Sequence, residues 1–146
     1  MLITENMELQ PGVKLAVQIG PDPSDDDLRF VRQIGIQHVI IWIDGSKADG
    51  AYYASQRKAV NDAGLTLYGL GNRDVHNQDA IVLNLPNRDE KTEQYKTHLR
   101  NLARAGIPYT TYAHMANGIW STEPELSRDA PARAFNLAVA KEGHWD

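Results

Sequence analysis

One junction recurs three times along this chain and restricts its fold more than any other feature. Gln33-Ile34-Gly35-Ile36 leads into His38-Val39-Ile40-Ile41-Trp42-Ile43, Asp62-Ala63-Gly64-Leu65 into Thr66-Leu67-Tyr68-Gly69-Leu70, and Arg104-Ala105-Gly106-Ile107 into Pro108-Tyr109-Thr110-Thr111-Tyr112. In each, a glycine follows an amphipathic segment, where a helix can end in the left-handed conformation without a Cβ clash. A short run rich in β-branched and aromatic residues comes next, the pattern of a strand. An earlier run, Lys14-Leu15-Ala16-Val17-Gln18-Ile19, brings the expected strands to four, near 14–19, 38–43, 65–70 and 108–113.

The segments between them read as helices. Ser24-Asp25-Asp26-Asp27 is a capping-box pattern, after which Leu28, Val31 and Ile34 share one face. A second helix is expected over Tyr52 to Ala63, with Tyr52, Ala59, Val60 and Ala63 inward. A third starts near Asp89 with a stripe of Tyr95, Leu99 and Leu102. Ile81 to Leu85 reads as either a fifth strand or a packed loop. Ser121 to Pro131 reads as a surface excursion, and Ala132 to Ala140 as a short helix.

Strands alternating with helices imply parallel βα units, because a parallel pair needs a crossover connection. Two architectures satisfy this: a small doubly wound sheet, or the first four units of a (β/α)₈ barrel, whose full size is about 250 residues. In the second, residues 1–146 would make one partial barrel domain. Neither a G-x-G-x-x-G nor a G-x-x-x-x-G-K-[ST] motif occurs. Gly69-Leu70-Gly71 lacks the third glycine and a prompt helix, so nothing supports nucleotide binding. Composition narrows the class further. With 42% apolar and 23% charged residues the chain is neither disordered nor membranous, and a net charge of −4 removes the usual electrostatic source of nucleic-acid binding. No apolar run approaches the roughly 20 residues of a membrane span, and no signal-peptide pattern opens the chain. There is no cysteine, which excludes disulfides, zinc–thiolate sites and cysteine nucleophiles. The expected setting is the cytoplasm, with neither membrane nor nucleic acid as partner.

Parallel α/β folds bind ligands at the carboxyl ends of their strands. In this chain those ends carry Gly20-Pro21-Asp22, then Trp42 and Asp44, then Asn72-Arg73-Asp74-Val75-His76-Asn77, then His114 through Trp120. The last two are densest in groups suited to a polyol or a carboxylate. The candidate substrate-binding residues are Trp42, Asn72, Arg73, His76, His114, Asn117 and Trp120. Arg73 could hold a carboxylate bidentately, and tryptophan offers a face for C–H stacking. Bland roles stand beside these: Asp22 and Asp44 as turn or cap residues, His38 and His98 as structural or exposed, Trp42 as core. Two histidines do not by themselves define a metal site.

Tyr95-x-x-x-Leu99-x-x-Leu102-x-x-Ala105-Gly106-Ile107, then Tyr112-x-x-Met115 and Trp120-Ser121-Thr122, resembles the mannonate dehydratases of the xylose-isomerase-like barrels. Leu85-Pro86-x-Arg88-Asp89-Glu90-Lys91 and the Ile107–Tyr112 run add to the likeness, which extends from about Val13 to Trp145. The resemblance implies a TIM barrel that dehydrates D-mannonate to 2-dehydro-3-deoxy-D-gluconate using Mn²⁺ or Fe²⁺. Such chemistry needs a base for the proton α to the carboxylate, an ion to stabilise the enediolate, and an acid for the departing hydroxyl. The family's metal ligands, by the same resemblance, include histidines, a cysteine and an aspartate on later strands, so none is assigned here and no catalytic residue is named. The expectation is a half barrel without turnover of its own, associating with itself through open sheet edges. A sugar isomerase or epimerase of the same superfamily, and a non-enzymatic half-barrel module, are the alternatives.

Overall fold

Among the described residues, nine segments of regular structure precede residue 106, and the helix boundaries follow local capping chemistry. The computed structural model describes residues 11–115 and 121–140, which fall into two compact units divided between His114 and Met115. In the first unit β1 is Ala16–Ile19, α1 Asp25–Gln33, β2 His38–Ile43, α2 Gly50–Asp62, β3 Thr66–Asn72, α3 Arg73–His76, α4 Asp79–Val82 and α5 Arg88–Ala105. A 3₁₀ turn, Gly45–Lys47, precedes α2. The three strands form a parallel sheet in the order β1-β2-β3.

The capping box at α1 forms as read: the Ser24 hydroxyl accepts from the Asp27 backbone N–H, and the Asp27 carboxylate accepts from Ser24. Gly35, Gly64 and Gly106 take φ of +76°, +77° and +69°, the left-handed conformation that only glycine adopts cheaply. Along β2, Val39, Ile41 and Ile43 are fully buried, whereas His38, Ile40 and Trp42 are half-buried. This alternation separates a core face from an open face. Leu28 and Val31 of α1, Tyr53 and Val60 of α2, and Leu102 and Ala105 of α5 close the core together with Leu65, Leu67, Leu70 and Ile107.

The helix stripes differ in detail from the apolar pattern. Ile34 is 49% exposed, and α2 turns inward Tyr53, Gln56 and Val60, with Tyr52 only half-buried and Ala59 exposed. On α5 the inward residues are His98, Asn101, Leu102 and Ala105, while Leu99 is 41% exposed. Polar groups occupy the inner stripe because partners satisfy them: Asn101 Nδ2 donates to the Ala48 carbonyl at 3.2 Å, and His98 bonds on both ring nitrogens. The ambiguous stretch at 81–85 is neither strand nor simple loop, since its first residues complete the one-turn helix α4.

β3 carries a bulge. Val39 pairs with Leu67 but Ile40 pairs with Gly69, so Tyr68 is the extra residue, and from there Ile41 opposes Leu70 and Trp42 opposes Gly71. A strand over 108–113 does not form. Only Tyr109 bridges to Gly69, with the Leu70 N–H donating to the Tyr109 carbonyl at 3.0 Å. Pro108 has no N–H to give a ladder, and the following residues bond elsewhere. Thr110 bonds to the His98 ring, the Thr111 carbonyl to the His76 ring, and the Ala113 N–H to the His76 carbonyl.

The second unit is a hairpin of β4 Glu125–Ser127 and β5 Ala130–Ala132. The excursion expected at 121–131 is thus partly regular. Arg128 and Asp129 both have positive φ, +52° and +63°, as a two-residue type I′ turn requires. Thr122 closes the hairpin base: its N–H donates to the Ala134 carbonyl, and its hydroxyl oxygen accepts from the Asn136 N–H. No helix forms over 132–140, because its first residue belongs to β5 and the Asn136 side chain ties back the Ala138 N–H in a local turn.

Candidate functional site

The carboxyl ends of β2 and β3 converge on a polar, aromatic-walled mouth. Trp42 lies next to last on β2, directly opposite Gly71 on β3. A Cβ at Gly71 would fall 2.6–2.8 Å from three atoms of the indole ring, so glycine is what lets Trp42 lie across the neighbouring strand. The indole meets the His76 ring edge-on, with centroids 4.8 Å apart. Gly69 does the same for Tyr109, whose Cδ1 would stand 2.6 Å from an added Cβ. The Gly69-Leu70-Gly71 run therefore serves packing on the open face and not phosphate binding.

His76 ends α3 and is half-buried. Its Nδ1 lies 3.2 Å from the Thr111 carbonyl, an acceptor only, so in the neutral ring Nδ1 carries the hydrogen and Nε2 presents its lone pair. Asn72 is the last residue of β3 and 2% exposed. Its side-chain oxygen accepts from the Asp74 N–H at 3.0 Å, and its amide faces Tyr53. Arg73 is exposed and pairs with Asp44 at 3.1 Å across the mouth, so the two loop residues engage each other. His114, half-buried, has φ of +44°, a left-handed conformation that histidine adopts more readily than β-branched residues do, and its ring packs on Tyr95 and Tyr112. Asn117 and Trp120 lie outside the described residues. The structure thus brings Trp42, Asn72, Arg73 and His76 to one end of the sheet.

Three features escape a reading by sequence. The Asp22 carboxylate accepts from Lys47 Nζ and from Gln56 Nε2, both at 2.6 Å, while its own N–H donates to Gln56 Oε1 at 2.9 Å. Hydrogen bonding to Lys47 holds the Asp22 carboxyl below its usual range and raises Lys47 in turn. This clasp fixes the end of β1 to α2. Second, a relay crosses the core: Tyr53 Oη and His98 Nδ1 are 2.8 Å apart, and His98 Nε2 and Thr110 Oγ1 are 3.0 Å apart. Burial lowers the His98 pKa to about 4 and raises that of Tyr53, the latter opposed by a hydrogen bond from Asn72. Third, a cavity of about 600 Å³ opens between the 3₁₀ turn, α3 and α5, walled by Asn72, Asp74, Glu90, Gln94 and His98 among others. A tyrosine and a histidine 45 residues apart carry no local signal of pairing.

Among the described residues, no group of three or more His, Asp or Glu side chains is placed to hold a metal ion. The reasons are local: His76 commits Nδ1 to a carbonyl, Asp44 is held by Arg73, and the Asp74 carboxylate packs against Gly45. These residues do not fit a divalent metal centre, and no chemical step follows through one.

A sheet of three consecutive parallel strands, helix-covered on one face and with an aromatic and imidazole wall at its carboxyl end, defines an α/β protein. Residues 20–137 match the family model for D-mannonate dehydratase (UxuA), and the chain belongs to that family. It is 36% identical over 85 residues to the mannonate dehydratase of Streptococcus pneumoniae (strain 70585), covering 58% of this chain and 22% of that protein. To the mannonate dehydratase of Brachyspira hyodysenteriae it is 34% identical over 109 residues, 71% of this chain and 30% of the relative. To that of Thermotoga petrophila it is 39% identical over 64 residues, 44% and 17% respectively. The chain spans less than a third of the length of these relatives.

Proposed function

We propose that this chain supplies part of the sugar-acid-binding wall of a mannonate dehydratase: the first βα units of a TIM barrel, dehydrating D-mannonate to 2-dehydro-3-deoxy-D-gluconate with manganese or iron. The observation that supports it best is the pairing of Trp42 and His76 at the carboxyl ends of adjacent parallel strands, inside the stretch that matches the family. The indole offers an apolar surface to the C–H face of a sugar chain. The Nε2 lone pair of His76 accepts a hydroxyl proton, and Arg73, released from Asp44, takes the carboxylate in a fork. His114, Asn117 and Trp120 belong to the same wall in this reading. By the same reading the metal takes its ligands from later strands of the family's barrel, and the 146 residues alone bind without turnover.

The test is a titration of the isotope-labelled chain with D-mannonate, with and without Mn²⁺, alongside an assay for the keto-deoxy product. Shifts centred on the Trp42 indole and His76 ring, lost in Trp42→Ala, with no product, are expected. Binding elsewhere or none refutes the wall, and product above a His114→Ala control refutes the absence of turnover. The same proposal extends to self-association in the cytoplasm. Among the described residues β1 pairs only with β2, and Val13 and Leu15 beside its outer edge are exposed. No described helix is long and apolar enough to cross a membrane. Light scattering that gives a clean monomer at all concentrations refutes the association.

A further inference from the structure

The segment after Tyr109 is held by side chains where a strand ladder would otherwise hold it, and both holding groups are histidines. From below, His98 of α5 bonds to Thr110 Oγ1 through Nε2 at 3.0 Å. From above, the next residue's carbonyl receives His76 Nδ1 at 3.2 Å, and the Ala113 N–H donates to the His76 carbonyl at 2.9 Å. Tyr53 Oη lies 2.8 Å from His98 Nδ1, and the other ring nitrogen reaches Thr110. In the tautomer the proposal requires, Tyr53 donates to Nδ1 and the Nε2–H donates to Thr110 Oγ1. His98 is 3% exposed, and both ring nitrogens have a protein partner.

We propose that His98 is a positioning residue for His76: acting through Thr110, it fixes the carbonyl of Thr111 that selects the Nδ1–H tautomer of His76 and leaves Nε2 facing the mouth. The importance given to that tautomer rests on the sugar-acid reading above. The relay itself does not. Without the Thr110 anchor, the segment keeps the bridge at Tyr109 and the Ala113 bond to His76, and the Thr111 carbonyl between them loses its tie to α5.

Long-range ¹H–¹⁵N spectra of the full chain, labelled in histidine, report the His76 tautomer, and amide exchange reports the Ala113 bond. Thr110→Val keeps the shape and removes the acceptor. It is expected to raise the Nε2–H form of His76 from minor to comparable population and to speed Ala113 exchange roughly five- to tenfold, the loss of one ordinary hydrogen bond. His98→Leu should do the same, and His98→Gln, which carries an N–H to the same point, should hold the wild-type pattern. The proposal is overturned if Thr110→Val leaves tautomer and exchange unchanged, or if glutamine behaves like leucine. Should His98→Leu not fold, Thr110→Val decides alone. D-mannonate added to the wild type separates the two readings: no binding with a tautomer change in Thr110→Val sinks the proposed function alone, and binding without that change sinks the relay alone.

Discussion

Substituting Gly71 by alanine tests the packing that builds the mouth, with Gly64→Ala as its control. At Gly71 the backbone φ is ordinary, so an added methyl costs nothing in conformation and everything in space. Its carbon would stand 2.6, 2.7 and 2.8 Å from Cε3, Cδ2 and Cζ3 of Trp42, against ordinary contacts of 3.4–4 Å. The indole must retreat by close to an ångström, and it is already engaged with His76 at 4.8 Å. Overpacking of this kind destabilises by about 1–3 kcal/mol, and loss of the edge-on aromatic contact adds about 0.5–1 kcal/mol. Gly64 has the opposite character. Nothing lies within 4 Å of its added Cβ, but φ is +77°, so the cost there is backbone strain of about 1–2 kcal/mol. The two variants can match in stability and still differ in what they disturb. Denaturant unfolding gives the stabilities, and the Trp42 indole N–H cross-peak gives the local structure. Gly71→Ala should move that cross-peak and weaken D-mannonate binding; Gly64→Ala should do neither. An unmoved Trp42 signal in Gly71→Ala would show that the close approach of indole and strand is not what sets the mouth.

Other outcomes follow from single contacts. Ser24→Ala removes the α1 cap and should cost about 1 kcal/mol in denaturant unfolding, with Ser24→Gly costing only a few tenths. Gly69→Ala drives a methyl against Tyr109, and the Leu70 amide, bonded to the Tyr109 carbonyl, should exchange roughly tenfold faster as that bridge opens. The pH dependence of stability has a definite sign: burial depresses His98 to about 4, so the unfolded chain binds this proton first. The contribution is fully present above the unfolded pKa of about 6.5 and declines as pH falls toward 4, by up to roughly 3 kcal/mol. His98→Gln should flatten that decline, which pH-stepped denaturation curves would reveal. Lys47→Met breaks a half-exposed pair with Asp22 and should lower the denaturant midpoint only slightly, by less still in high salt.

The elements governed by local chemistry were legible. The Ser24 box and the three left-handed glycines each depend on a few adjacent residues, and each forms where the sequence implies; β2, nearly all apolar and so expected to be covered on both faces, is instead half-buried on one. On α5 and at the fourth strand the failures share a cause, which is that a distant partner decided the outcome. Leu99 yields the inner stripe of α5 to His98 and Asn101 because Tyr53, Thr110 and the Ala48 carbonyl satisfy those polar groups. The fourth strand shrinks to Tyr109 because its next residues bond to His98 and His76. Of the mouth, Trp42, Arg73 and His76 could be chosen by position at strand ends. Neither the Arg73–Asp44 pairing nor the burial of Asn72 could be, since both depend on how loops from separate strands approach each other.

The extra residue in β3 acts on the sheet as a phase shifter. In an uninterrupted register Tyr68 would oppose Ile40 and every later partner would move by one. Trp42 would then meet Leu70, and Ile41 would meet Gly69. A leucine would crowd the open face, and a glycine would leave a void in the core opposite a fully buried isoleucine. By admitting one unmatched residue, the strand turns Leu70 inward and delivers both glycines to the side where the indole and Tyr109 need room. A single-residue insertion or deletion around Tyr68 would therefore exchange the two faces of the strand beyond it, altering core and mouth at one stroke while leaving every other residue in place.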